Sequence, residues 1–510
     1  MSNRILLFVT LFLIPVSALV VGVGTQARLE FEWRLRVYQT NSTLDQNRSD
    51  AIPLHRHCFA SNRQASPICK WYTGVVLLEV LGLVGILIGL LLLSGIYFMS
   101  RLARGRRNRL VLFFKPGLYL TLLGLIVILF LNTAIFILTM SLGWIESVGA
   151  VATVGKLLIA VGGLGSIFGA VLLVRPVVMM LRKPQIVVIG RSISEVRCPR
   201  FWGYIRGLAG KVGALPPNNI VIGMNAGFFV VEAGVKCLSG ALNGRTMYLS
   251  LPLCRILSEN ELRAAVGHEL GHFKGDDTAF GRKFSPIYRG ASAAIMALGD
   301  NMSGSIMSAG LLPAFSVISY FYNSFATVAN EISRTRELAA DTVSVEVAGA
   351  LDSASSLVKE VAFAGYVESA RDRMRESLSW GNETENLSNV FVELVRENSQ
   401  PALLVGLDEE CLSHPLDTHP PLKIRLDAFG VRMEAIEGAT LATTPSDPAV
   451  NLIDDYEQFE KELTKAEQSI MEHYGEVIRY EQQICPACQQ LSPIGTRACH
   501  CGFNFVRGLA

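Results

Sequence analysis

Residues 258–272, SENELRAAVGHELGH, decide the fold of the central part of this chain. Ser258 followed by Glu261 is a capping-box signature of a helix N-terminus, and the apolar residues that follow recur at helical spacing. Residues four apart lie on one face of a helix, so the rings of His268 and His272 can reach a single zinc ion. Glu269 lies between them, where a carboxylate can act as a general base. The alternative is a helix that carries the motif by chance and binds nothing.

A second stretch, residues 331–341 with the sequence EISRTRELAAD, supplies two more carboxylates. Catalytic zinc takes three protein ligands and keeps one position for water. Glu337 is the predicted third ligand. Asp341, one helical turn later, is predicted to accept a hydrogen bond from a ligand histidine and so orient its ring. Read alone, the stretch is equally compatible with a solvated face of acidic and basic residues.

Together these motifs resemble the membrane gluzincins, namely the HtpX-type zinc metalloproteases, the CAAX-prenyl endopeptidase and the stress-activated mitochondrial inner-membrane protease. The resemblance covers roughly residues 205–435 and extends to a strand at 244–250 and to the stretch 418–425, THPPLKIR. It implies an α-rich α+β gluzincin metallopeptidase domain, placed at residues 184–437, with one catalytic zinc.

The resemblance also implies roles for residues outside the zinc motif. His419 is a candidate donor to the oxyanion of the transition state; without the resemblance it reads equally well as a surface-loop histidine. An edge strand near residues 225–228, with Asn225 and Ala226, is expected to pair with an extended substrate.

The composition predicts a membrane protein. Half of the 510 residues are hydrophobic, and the mean hydropathy is +0.36. A bilayer is crossed by about 20 apolar residues in a helix, and four segments reach that length. We therefore predict a multi-pass α-helical domain over residues 1–183 with an outer loop at 25–73; its four helices are placed at 5–24, 74–98, 111–141 and 149–174. The first segment is alternatively a cleaved signal peptide.

Basic residues set the predicted orientation. Five arginines lie between Arg101 and Arg109, directly after the second apolar segment, and positive charge stays on the cytosolic side. An even number of crossings then places the catalytic domain in the cytosol, at a bacterial-type inner membrane. Residues 286–330 are interpreted either as a hairpin that enters the bilayer or as an amphipathic pair of helices over the active site.

The ten cysteines divide by compartment. Cys58 and Cys69 fall in the predicted outer loop, where an oxidising environment favours a disulfide.

The C-terminal cysteines Cys485, Cys488, Cys499 and Cys501 predict a small zinc ribbon over residues 485–510, with a second, structural zinc. The last pair departs from the usual two-residue spacing, so His500 is an alternative to Cys499 as a ligand. The alternative to the zinc ribbon as a whole is a cluster of thiols that binds no metal.

Residues 438–484 change character to charged helix. Apolar residues at alternating spacings of three and four are typical of a coiled coil, which predicts a homo-oligomer, or of a helix packed on its own catalytic domain. A recruited protein partner is a further possibility, through the C-terminal ribbon. A net charge of +2 and the few basic residues near the ribbon argue against nucleic acid.

The sequence therefore predicts a membrane-anchored zinc endopeptidase that cuts membrane or membrane-associated proteins at the cytosolic face, in protein quality control. Its partners are protein or peptide substrates and the lipid bilayer. Two alternatives stay open: a membrane scaffold that binds misfolded segments with little proteolysis, and a processing protease for one lipidated or signal-like substrate.

Overall fold

The computed structural model describes most of the chain in separate ranges. These are residues 2–40, 53–59, 66–104, 107–142, 186–274, 306–407, 419–477, 482–493 and 498–504, with a few single residues between them. The chain divides into two compact units. The first comprises residues 1–183 and 284–329, and the second comprises residues 184–283 and 330–510.

The first unit contains long apolar helices. Its N-terminal helices are α1 (Ser2–Thr40), α2 (Leu54–Phe59), α3 (Pro67–Leu102) and α4 (Arg107–Leu142). Within the described residues, α1, α3 and α4 are long and apolar enough to cross a membrane. They contain the first three predicted segments. The fourth, 149–174, lies outside the described residues, so the number of crossings and the cytosolic orientation stay predictions.

Small residues let α1 and α3 approach closely. A Cβ atom at Gly82 of α3 would stand 2.7 Å from the carbonyl oxygen of Pro15 in α1, and small residues of this kind permit close packing between membrane helices. At one end of α3, Cys69 forms a disulfide with Cys58 of α2. The structure thus joins the two cysteines that were predicted to pair.

The second unit begins with two small sheets. Its first elements are β1 (Ile186–Val187), β2 (Gly190–Ile193), α5 (Pro199–Val212), β3 (Asn219–Gly223), β4 (Phe229–Glu232), β5 (Val235–Cys237), β6 (Gly240–Leu242) and β7 (Arg245–Ser250). One sheet has the order β2-β3-β7-β4, in which β3 and β7 are parallel and β4 is antiparallel to β7. Strand β4 is therefore an edge strand. The other sheet has the order β1-β5-β6.

Helices follow the sheets along the chain. They are α6 (Leu251–Ile256), α7 (Glu259–Phe273), α8 (Ile306–Ala348), α9 (Ala350–Phe363), α10 (Gly365–Ser379), α11 (Leu387–Asn398), α12 (Leu422–Phe429), α13 (Met433–Leu441) and α14 (Tyr456–His473). A short hairpin of β8 (Gln482–Ile484) and β9 (Leu491–Pro493) comes last. One core holds apolar side chains of the four-stranded sheet and of α5, α7, α10, α11 and α14.

Helix α8 contributes residues to both units. In the first unit, the rings of Phe321 and Phe325 lie 5.3 and 5.4 Å from that of Phe114 in α4. Residues 286–330 are interpreted from the sequence either as a hairpin in the bilayer or as an amphipathic pair of helices. Residues 306–330 of this segment are helical. The preceding part of that segment lies outside the described ranges. The later turns of α8 carry Glu337 and Asp341.

The charged C-terminal helix packs on its own catalytic domain. Helix α14 buries Phe459 and Leu463 in the shared core. Its buried Glu467 also accepts hydrogen bonds of 2.9 Å from Arg371 of α10. The two alternatives for this segment are a coiled coil and a helix packed on its own catalytic domain. In the structure, α14 packs on its own domain. The boundary predicted after residue 437 falls inside α13, and α14 shares a core with the helices that precede it.

Candidate metal centre

The helix that carries the histidines has a fixed N-terminus. The backbone N–H of Ser258 donates to Glu261 Oε2 at 2.8 Å, and that of Glu261 donates to Ser258 Oγ at 3.2 Å. These are both halves of the predicted capping box. The box is tied to α9, because Lys359 Nζ donates to Glu261 Oε2 at 2.8 Å and to the carbonyl oxygens of Ile256 and Ala442 at 3.0 and 2.9 Å.

A glycine-sized gap lets α7 and α8 meet. A Cβ atom at Gly271 would lie 3.0 Å from Ala340 Cα, so a larger residue would push the helices apart. Below this point, Ser344 Oγ of α8 donates to the carbonyl oxygen of Ala264 in α7 at 2.9 Å. This close approach brings the carboxylates of α8 within reach of the histidines.

His268, His272 and Glu337 converge as the spacing predicts. Their nearest ligand atoms all lie within 4.8 Å of one another. Glu337 Oε2 is 3.5 Å from His268 Nε2, and Glu337 Oε1 is 3.4 Å from His272 Nε2. Ligands at about 2.0–2.2 Å from a tetrahedral zinc lie about 3.4 Å apart. Two imidazole nitrogens and one carboxylate at these separations fit a single zinc ion.

A second layer of contacts orients His268. Its Nδ1 lies 2.9 Å from Asp341 Oδ1. Arg425 of α12 donates through Nε to the other oxygen of Asp341 at 2.8 Å and through its terminal nitrogen to Oδ1 at 2.6 Å. Burial by itself raises the pKa of Asp341, but the hydrogen bonds from Arg425 and His268 hold it below its usual value. Asp341 therefore stays ionised and keeps Nε2 of His268 facing the predicted metal.

His419 contacts the third predicted ligand. Its Nδ1 lies 2.9 Å from Glu337 Oε2, and its side chain is 65% exposed. Burial alone would raise the pKa of Glu337, but hydrogen bonds from His268 and His419 lower it. The ring thus stands at the rim of the centre, and its predicted role toward an oxyanion stays a prediction.

Glu269 lies in a shielded position beside the ligands. It is 9% exposed and lines a cavity of about 760 Å³ together with His268, Glu337 and His419. Burial raises the pKa of Glu269 to about 8, while the charge of His268 opposes that rise and those of Glu360 and Glu337 add to it. A carboxyl group with such a pKa can both accept and release a proton near neutral pH.

The predicted substrate strand is displaced by a few residues. The edge strand begins at Phe229, after a turn that contains Asn225 and Ala226. The backbone N–H of Asn225 donates to the hydroxyl of Tyr248 at 2.9 Å, and its side-chain oxygen accepts from Arg371 at 2.7 Å. Asn225 is thus held by its own domain, and substrate binding by Asn225 and Ala226 stays a prediction.

The C-terminal cysteines also converge. Cys485 Sγ lies 3.7 Å from Cys501 Sγ, and Cys488 Sγ lies 3.6 Å from Cys499 Sγ. All four sulfur atoms are within 4.8 Å of one another, which suits thiolates at about 2.3 Å from one zinc. The ring of His500 is next to this cluster, with Nδ1 3.6 Å from Cys499 Sγ.

The sequence analysis did not single out two residues, one that supports the site and one that lines it. Lys359 anchors the capping box, and Glu360 lines the cavity. Adjacent charged residues within the otherwise apolar and small residues 353–364, SASSLVKEVAFA, were the available signal, because charge in a buried helix face requires a partner or a function.

The chain is similar to known proteases. Residues 238–431 match peptidase family M48. Three proteins described as protease HtpX homologs align with it: one from Pyrobaculum calidifontis (27% identical over 198 residues), one from Thermoplasma volcanium (29% over 190) and one from Archaeoglobus fulgidus (27% over 264). These alignments cover 36%, 36% and 50% of this chain, and 56%, 57% and 73% of the relatives. The chain therefore spans little more than half the length of the first two.

Proposed function

We propose that this chain, whose residues 238–431 match peptidase family M48, is a membrane-anchored zinc-dependent endopeptidase. One observation carries the proposal: His268, His272 and Glu337 converge at ion-binding distances, and His268 and Glu337 line one cavity together with the buried carboxylate of Glu269. Three helices able to span a bilayer support the membrane anchor.

Each residue of the site has a separate role in the proposed hydrolysis of a peptide bond. A bound zinc supplies a Lewis acid and lowers the pKa of water. Glu269 takes a proton from the attacking water and later gives it to the leaving amine. Asp341 and Arg425 keep the ring of His268 in its ligating orientation. His419, at the exposed rim, donates a hydrogen bond to the oxygen of the scissile carbonyl as negative charge develops there.

The substrates we propose are membrane or membrane-associated proteins, cut from the cytosolic side of a bacterial-type inner membrane as part of protein quality control. Edge strand β4 supports a substrate bound in extended form, because its outer backbone groups have no strand partner within the described sheet. Such binding reads the backbone and tolerates many side chains. The four C-terminal cysteines are proposed to hold a second, structural zinc.

The test compares Glu269→Gln with wild type in the full chain, purified in detergent. We expect the variant to keep the zinc content of wild type and to cleave an unfolded protein substrate about 10²- to 10⁴-fold more slowly, the usual contribution of a general base. Glu259→Gln makes the same chemical change at the start of the same helix and is expected to leave the rate unchanged. A Glu269→Gln variant that cleaves as fast as wild type would refute the proposal.

A further inference from the structure

Glu360 places a carboxylate at the wall of the catalytic cavity. It lies on α9 and lines the same cavity as His268 and Glu269. Its Oε1 atom lies 3.2 Å from the position that a Cβ atom would take at Gly227, where φ is +111°. Gly227 belongs to the turn that leads into edge strand β4. The carboxylate is therefore close both to the general base and to the strand proposed to hold the substrate.

Asp341 and Glu261 have cationic partners, whereas Glu360 has no ion-pair partner among the described residues. Asp341 takes two hydrogen bonds from Arg425, and Glu261 pairs with Lys359. For Glu360, burial is the largest influence and raises its pKa, while the charges of His268 and Arg425 and a hydrogen bond from the backbone N–H of Phe228 oppose that rise. No lysine, arginine or histidine of the described ranges forms an ion pair with it.

When the charges in the cavity are paired, the charge of Glu360 has no counterpart. With a divalent ion bound, the carboxylates of Glu337 and Glu269 would balance its charge, and Asp341 is paired with Arg425. When it is ionised, Glu360 adds one further negative charge that no ion pair among the described residues balances. A partly buried carboxylate without a cationic partner raises the free energy of the site when it is ionised, and a cationic ligand group that forms a charge-assisted hydrogen bond with it lowers that free energy.

We propose that Glu360 is a specificity-determining residue that binds a lysine or arginine side chain of the substrate next to the scissile bond. The proposal rests on the proposed peptidase function and deepens it. Leu357 and Val361 line the same cavity on either side of Glu360 along α9, and they give the aliphatic stem of a long basic side chain an apolar surface. A carboxylate in a specificity pocket is a known means of selecting basic side chains.

The experiment uses internally quenched, N-terminally acetylated peptides that differ at one position near the cleavage site, which is Lys, Arg, Gln or Glu. Rates are measured with the full chain in detergent. For wild type we expect kcat/KM to be about tenfold to a hundredfold higher with Lys or Arg than with Gln, the range for a hydrogen bond to a charged group. In Glu360→Gln this ratio should fall to about one, and in Glu360→Lys the peptide with Glu should become the preferred one.

Controls separate the possible failures. Glu434→Gln changes an exposed carboxylate on α13 and should keep the wild-type ratio, and zinc content verifies that each variant retains the centre. If wild type cleaves no peptide or protein, the proposed function fails. If wild type cleaves but Glu360→Gln shows the same ratio, only the present inference fails. A preference that requires a free α-amine and disappears on acetylation would overturn the assignment to a side chain.

Discussion

Replacing Lys359 by Met tests how the zinc helix is held in place. Lys359 is 1% exposed, and its ammonium group donates to Glu261 Oε2 and to two backbone carbonyl oxygens. Met has a similar length but no charge, so the substitution leaves the buried carboxylate of Glu261 without its cation. Glu261 would keep only its bonds to Ser355 and to the N–H of Ser258.

The expected magnitude follows from this burial. Removing one partner of a buried ion pair costs about 3–5 kcal/mol, which is a large share of the roughly 5–15 kcal/mol that stabilises a typical domain. Each 1.4 kcal/mol corresponds to a factor of ten. Protection of the α7 amides against hydrogen exchange should therefore fall by about 10²- to 10⁴-fold, measured by mass spectrometry on the full chain in detergent.

An exposed lysine provides the matched control. Lys461 also pairs with a glutamate, Glu385 at 2.6 Å, but both side chains are largely in solvent, so Lys461→Met should leave the exchange of α7 unchanged. The double variant Glu261→Gln with Lys359→Met should be less destabilised than the sum of the two single variants. If Lys359→Met alone exchanges within about threefold of wild type, less than 1 kcal/mol, the argument from burial is refuted.

Two further predictions concern the centre itself. Asp341→Asn keeps the shape of the side chain but weakens its hold on His268, so zinc affinity should fall about 10- to 100-fold; competition with a chromogenic chelator measures this, and unchanged affinity would contradict the orienting role. Gly271→Val places a branched side chain against Ala340, which should separate α7 from α8 and remove the catalytic zinc. Metal analysis of the purified variant checks this, and a full zinc content would show that the helices do not need the close contact.

Local patterns in the sequence were enough to predict the central geometry. The capping box depends on Ser258 and Glu261, three residues apart, and the paired ligands depend on the helical repeat, so both follow from short-range chemistry. The third ligand could be predicted because Glu337 and Asp341 again lie one turn apart, in a stretch that resembles the family motif.

Contacts between distant segments could not be predicted in this way. Arg425 and Asp341 are separated by 84 residues, and no local spacing indicates that they meet. The seam of α14 also looks the same whether the helix pairs with another chain or packs on its own domain. Its buried Glu467 finds Arg371 on a different helix, and only the tertiary fold distinguishes these cases.

Glu337 and Asp341 occupy successive turns on one face of α8, and this arrangement makes the centre sensitive to register. A slide of that helix by one turn, about 5.4 Å, would offer the histidines a carboxylate one methylene shorter and would detach the guanidinium of Arg425 in the same movement. The third ligand and the contact that orients His268 would therefore be lost together, so retention of the metal depends on the axial position of α8.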